Sequence, residues 1–193
     1  MPRIDNQKFY ISATKKYGTT AKGVNWASKE NQEIRFEIIV KLLPTDLKNF
    51  SIVDAGCGFG DFYLYLKQRN KLPKEYIGID SLSQMSLIAS NQTDCQIITA
   101  NICKDRLPIK DYYICSGALN ILTKFETYQF IYNCYKSSKI GFVFNILYGD
   151  KESEVYNYMN KMEIEKLANN LSVTDIEFFD GYLDSDVTVV FLR

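Results

Sequence analysis

Hydrophobic positions along this chain alternate between two rhythms, one of period near 3.6 and one of short unbroken apolar runs. From Ser28 the stretch SKENQEIRFEIIVKLL puts Ile34, Ile38 and Leu42 on one helical face, with Ser28 as N-cap and Pro44 as the stop. A β-branched run, FSIVDAG, follows and opens into glycines, after which DFYLYLKQRN returns to helical spacing. YIGID reads as a second buried strand and SLSQMSLIASN as the helix after it. CQIITAN, DYYICSG and KIGFVFNIL are the third, fourth and fifth strands, with a helix through TKFETYQFIYNCYKSS between the last two. A helix is expected from about Tyr156 to Asn170, and VTDIEFFDG and DSDVTVVFLR close the chain as two strands across a short polar connection.

Alternating strands and helices predict an α/β fold with a mostly parallel sheet, seven-stranded, and helices on both faces. The closing pair is near enough in sequence to form a hairpin, which makes the last strand antiparallel to its neighbours. A length of 193 residues suits one domain. The expected division is an N-terminal arm and helix over residues 1–43, capping the ligand edge of the sheet, and a core over residues 50–193. The first part of the arm shows no clear periodicity.

Composition narrows the functions available. Lys plus Arg and Asp plus Glu number 23 each, so the chain lacks the basic excess typical of proteins that bind nucleic acid through its phosphates. Nucleic acid is therefore an unexpected partner. Five scattered cysteines with no CxxC pair argue against a disulfide framework or a thiolate metal site, and suit a reducing, cytoplasmic setting. No signal peptide or membrane-length apolar run is visible. The chain has no histidine, which removes Ser-His-Asp and Cys-His catalysis and the commonest metal ligand.

The strongest chemical signal is Val53-Asp54-Ala55-Gly56-Cys57-Gly58-Phe59-Gly60-Asp61, set between a strand and a helix as a cofactor loop in an open sheet should be. Asp80 follows at the end of YIGID, where a carboxylate accepts hydrogen bonds from ribose hydroxyls. A dinucleotide fingerprint, GxGxxG, would place its third glycine where Asp61 stands, and a carboxylate at a helix start repels a pyrophosphate. Acids around the loop suit instead a ligand without phosphate that carries positive charge.

With these residues in view, the chain resembles the class I S-adenosylmethionine-dependent methyltransferases, a Rossmann-like, doubly wound family, in a bacterial small-molecule-type form. The likeness runs from about Ser28 to Arg193 and rests on VDAGCGFG, GIDSLSQM, TANI and DYYICSG in that order. It implies S-adenosylmethionine as cofactor. Gly56, Cys57 and Gly58 would present main chain to its methionine part; Asp80 would hold the ribose, with Ser81 and Met85 bordering the adenine. Asn101 and Ile102 would lie at the adenine edge, the asparagine standing where the family usually has aspartate. Ser116 and Gly117 would lie under the sulfonium, Arg35 could pair with the cofactor carboxylate, and Trp26 could cover it. Asp54 either orients the loop or the cofactor's amino group or caps the turn, and Arg35 is equally readable as a surface ion pair.

Methyl transfer from a sulfonium is an in-line displacement that depends on orientation and needs a base only when the acceptor must lose a proton. Asp111, Asp150, a tyrosine or water are the candidates, and Tyr148, Tyr156 and Tyr158 fall where a substrate would enter. CSGALN stands where base-amine methyltransferases carry an (Asp/Asn)-Pro-Pro-(Tyr/Phe) loop, and no cysteine follows a proline as in cytosine enzymes. The expectation is a small-molecule acceptor. The alternatives are a catalytically silent binding or scaffold protein of the same fold and an NAD-linked oxidoreductase.

Overall fold

A computed structural model describes residues 5–24 and 28–193. Strands β1 (Ser51–Ala55), β2 (Glu75–Asp80), β3 (Gln96–Thr99), β4 (Lys110–Cys115), β5 (Ser138–Tyr148), β7 (Asp175–Phe179) and β8 (Asp186–Leu192) lie in the order β3-β2-β1-β4-β5-β8-β7. Pairings from β3 through β5 are parallel, and β8 runs antiparallel to both β5 and β7. This is the expected doubly wound sheet with an antiparallel final strand. One strand was not foreseen: β6 (Tyr158–Met159) pairs in parallel with Leu147 and Tyr148. Two residues are too few to show a period.

The helices are α1 (Asn6–Tyr17), α2 (Lys29–Leu42), α3 (Asp61–Gln68), α4 (Ser83–Thr93), α5 (Lys124–Ser137) and α6 (Lys161–Leu171). The sheet's two faces carry separate cores, because successive strand residues point to opposite sides. On one face Val53, Ile79, Tyr113 and Phe142 pack under Phe130 and Ile131 of α5 and Ile164 and Leu167 of α6. On the other, Ile52, Ile114 and Val143 pack under Phe36 and Ile39 of α2 and Phe62 and Leu66 of α3. Strands covered on both faces have little reason to alternate, and all five residues of β1 are buried.

Local chemistry sets the helix ends. Ser28 caps α2 as expected, its side chain accepting from Asn31 N at 3.1 Å. Helix α6 begins later than the sequence suggested: Asn160 forms a capping box with Glu163, and β6 occupies the residues just before it. The arm, expected without periodicity, contains α1, capped by Asp5 (Lys8 N to Oδ1, 3.1 Å) and ended by Gly18 at φ +64°. Thr14 Oγ1 donates to Gly23 O at 3.2 Å and ties α1 to the short 3-10 turn that follows it.

Candidate active site

At the C-terminal end of β1 the chain makes a bend that only glycine tolerates well. Gly56, Gly58 and Gly60 sit at φ +81°, +55° and +82°. Gly56 N and Cys57 N both donate to Ile79 O, at 2.7 and 3.0 Å, which fastens the bend to β2. A Cβ on Gly56 would come within 2.5 Å of Ala118 Cβ, so the bend and the turn after β4 meet with no room between them.

Asp80 completes this corner. Its Oδ2 accepts from Gly58 N at 3.0 Å and its Oδ1 from Leu82 N at 2.9 Å. Burial pushes the carboxyl up to about 6, against the pull of backbone N–H groups of Leu82, Gly58 and Ser81. Asp54 is more deeply placed: Tyr76 Oη donates to its Oδ2 at 2.7 Å, and burial raises it to about 7. Asp61 accepts from Gln32 Nε2 at 3.0 Å and is likewise raised by burial. Burial, with Asp54 and Asp80 adding to it, pushes the Cys57 thiol well above its usual range, so it is no nucleophile at neutral pH.

These groups line a cavity of about 660 Å³ at the C-terminal edge of the parallel strands. Arg35, Ser81, Met85, Asn101, Ile102, Ser116 and Gly117 line it too. Trp26 lies outside the described residues. Ser116 Oγ is buried with no hydrogen-bond partner, while Gly117 turns the chain at φ +85°. Two side chains are engaged otherwise than the sequence suggested. Arg35 pairs with buried Asp186 through Nε and Nη2, so it is neither a surface ion pair nor held in reserve for a ligand alone. Asn101 Oδ1 accepts from Cys103 N at 3.0 Å, closing its own turn.

The candidate bases fare differently. Asp111 lies near the start of β4, at the opposite end of the sheet, bonded to Ser51 N and Oγ at 2.9 and 2.7 Å. Asp150 borders a neighbouring polar groove and accepts from Asn160 Nδ2 at 2.7 Å. Tyr156 and Tyr158 do line the main cavity; Tyr148 is not among its lining residues. Sequence reasoning missed Phe9 and Tyr10 of α1, Gln32 of α2, and Leu122 and Phe125 around the start of α5. Burial raises the Tyr10 phenol strongly, with Asp80, Cys115 and Tyr156 adding to the effect. A signal existed for it: Tyr10, Ala13, Thr14 and Tyr17 have the i, i+3, i+4, i+7 spacing of a helix face.

No protein-family model matches the chain, and no curated protein matches it in sequence. Solved structures do match in shape. The magnesium protoporphyrin IX methyltransferase of Synechocystis PCC 6803 with bound SAH is 13% identical, with a TM-score of 0.69 over 84% of this chain and 83% of that one. A chain in the complex between the Haloferax volcanii Trm112 methyltransferase activator and the putative methyltransferase is 11% identical, with a TM-score of 0.70 over 96% of each. A possible histamine N-methyltransferase from Thermotoga maritima is 14% identical, with a TM-score of 0.62 over 84% of this chain and 88% of that one.

The fold is that of the class I S-adenosylmethionine-dependent methyltransferases. In this methyltransferase fold the glycine bend, Asp80 and Ser116 stand at the ends of adjacent parallel strands β1, β2 and β4, where open α/β sheets bind their ligands. Among the described residues no group of acids and cysteines is arranged to hold a metal, and no helix is long and apolar enough to cross a membrane.

Proposed function

We propose that the protein is a single-domain enzyme that transfers the methyl group of S-adenosylmethionine to a small-molecule acceptor. Asp80 is the observation that carries this reading. Its oxygens take the backbone N–H groups of Gly58, Leu82 and Ser81, and a carboxylate offers about four lone-pair sites, so it retains capacity for a ribose hydroxyl. Gly56 and Gly58 bring bare main chain to the cavity beside it. Ser116 Oγ, a buried hydroxyl without a partner, is at a cost of about 1–3 kcal/mol until a ligand engages it. These features fit S-adenosylmethionine, and the buried acids Asp54 and Asp80 fit its positive charge.

Bound S-adenosylmethionine supplies a methyl already activated by its sulfonium, which passes to a lone pair of the acceptor. The chain's own part is orientation and exclusion of water. Phe9 and Tyr10 bring α1 to the cavity for that purpose. A neutral overall charge favours a small acceptor over nucleic acid, and the free cysteines suit the cytoplasm.

The test is thermal shift with S-adenosylmethionine, S-adenosylhomocysteine and NAD. Stabilisation by the first two and not by NAD is expected; stabilisation by NAD alone would end this reading. Incubation of labelled S-adenosylmethionine with cell extract then distinguishes an enzyme, which yields labelled product, from a silent binder.

A further inference from the structure

The cavity's lining is chemically mixed. The glycine bend, Asp80 and the orphan hydroxyl of Ser116 share it with Leu122, Phe125, Tyr156 and Tyr158, and with Phe9 and Tyr10 from α1. Phe125 is 73% and Tyr156 43% exposed. Isolated exposed apolar side chains are ordinary, but aromatic rings gathered on one cavity ask for an occupant.

The rim is also built to stay in place. Phe125 sits in the first turn of α5, inside the capping box of Thr123 and Glu126. The irregular segment that carries the tyrosines is pinned at several points. Ser153 Oγ accepts from Val155 N and Tyr156 N at 3.2 and 3.0 Å. Asn157 N donates to Asn120 O at 2.7 Å, and buried Asn157 Nδ2 donates to Thr127 Oγ1 at 2.8 Å. Asn120 Oδ1 in turn accepts from Leu147 N at 3.2 Å, joining the same segment to β5. A connecting loop has no need of such ties, whereas a recognition surface does.

Two charged side chains at the start of α5 are engaged within the protein. Lys124 Nζ is held by Glu163 at 2.7 Å and by Tyr158 O at 2.6 Å, and Glu126 Oε2 accepts from Thr123 N at 3.1 Å. Ring surface and phenol hydroxyl therefore face the ligand beside Lys104 and Glu126, which line the same cavity.

We propose that the acceptor is a planar aromatic small molecule without positive charge, stacked against Phe125 and Tyr156 and bordered by Tyr10. This rests on the methyltransferase reading in one respect: a sulfonium in the same cavity disfavours a second cation, which the aromatic rings would otherwise also accept. The cavity of about 660 Å³ has to take the cofactor and the acceptor together.

Calorimetric titration with 1-naphthol, its saturated counterpart decahydro-1-naphthol, and benzylamine, each with and without S-adenosylhomocysteine, tests the proposal. Naphthol should bind saturably and about tenfold tighter than either comparator. The double variant Phe125→Ala/Tyr156→Ala should lose about tenfold in naphthol affinity while holding S-adenosylhomocysteine as well as the parent does. Both residues are at the surface, so the variant should fold. Unsaturable naphthol binding, equal binding of the saturated ring, tighter binding of benzylamine, or an unchanged double variant would each overturn it. Failure of S-adenosylhomocysteine to bind, with naphthol still lost in the variant, would sink the methyltransferase reading and leave the aromatic site standing.

Discussion

Arg35 on α2 and Asp186 at the start of β8 form an ion pair buried beneath the cavity, though 151 residues separate them in the chain. Asp186 also accepts from Tyr182 Oη at 2.8 Å, and that hydroxyl lies 2.7 Å from Thr188 Oγ1. The pair thus ties the helix that borders the cavity to the far hairpin of the sheet. Removing one partner of a buried pair strands the other charge. Asp186→Ala is therefore expected to destabilise the protein by about 3–5 kcal/mol, read from urea denaturation. A change below about 1 kcal/mol, the range of exposed pairs, would show that the arginine finds water instead.

Gly56→Ala tests how closely the loop and the turn after β4 fit. The new Cβ would meet Ala118 Cβ at 2.5 Å with the backbone at φ +81°. The left-handed conformation alone costs an L-residue roughly 1–2 kcal/mol. We expect a loss of at least that much stability together with loss of S-adenosylhomocysteine binding. Gly149→Ala, at φ +120° with nothing within 4 Å of the added Cβ, shows backbone strain without a clash and should leave ligand affinity unchanged. Equal loss in both variants would mean that the Ala118 contact is immaterial.

The succession of strands and helices was legible because the central strands are short and largely buried, so VDAG, YIGID and DYYIC stand out as apolar runs between helices. The bend and Asp80 were legible because left-handed turns select glycine and a strand end places its last side chain at the ligand edge. What stayed hidden was partnership across the fold. Nothing near Arg35 in sequence announces Asp186, and nothing near Asn101 shows that its carbonyl turns back to Cys103 N. Asp111 looked like a base until the sheet placed it at the wrong end of β4. The aromatic rim was half seen: Tyr156 and Tyr158 were named, while Phe125 reads as an ordinary helix residue until α5 is set beside the cavity.

Capping of α5 gives a simple check on that placement. Thr123 Oγ1 accepts from Glu126 N at 3.2 Å while Glu126 Oε2 accepts from Thr123 N at 3.1 Å. Thr123→Ala should cost about 0.5–2 kcal/mol in chemical denaturation. Thr123→Ser, which keeps the hydroxyl, should recover most of it; no recovery would mean the threonine methyl, not the cap, was the stabilising part.

Asp54 makes stability depend on pH in an unusual direction. Burial raises its carboxyl from an ordinary 3.8 to about 7, so the folded chain holds a proton that the unfolded chain releases. Between those values the native state binds more protons, and stability falls as pH rises. Asp54→Asn removes the ionisation and keeps an acceptor for Tyr76 Oη. Urea midpoints at about pH 5 and about pH 8 should therefore show the parent losing stability relative to the variant as pH increases. A parent that gains on the variant over that interval would mean the ionised form is the favoured one.

Asp80 is the side chain on which the functional reading turns, and two measurements separate its roles. Asp80→Ala should weaken S-adenosylmethionine binding by more than about tenfold, or 1.4 kcal/mol. Because Gly58 N and Leu82 N also lose their acceptor, that result alone leaves open a misplaced loop. Adenosine carries the ribose without the methionine, so its affinity should fall by a similar factor if the hydroxyls are what Asp80 holds. Proton release gives the second measurement. The unliganded carboxyl sits at about 6, and hydroxyl donors with a nearby positive charge favour its ionised form. Binding near pH 6 should then expel a fraction of a proton, seen as a binding enthalpy that varies with the ionisation heat of the buffer. Proton uptake, or an enthalpy indifferent to the buffer, together with unchanged affinity in Asp80→Ala, would place the ribose elsewhere in the cavity.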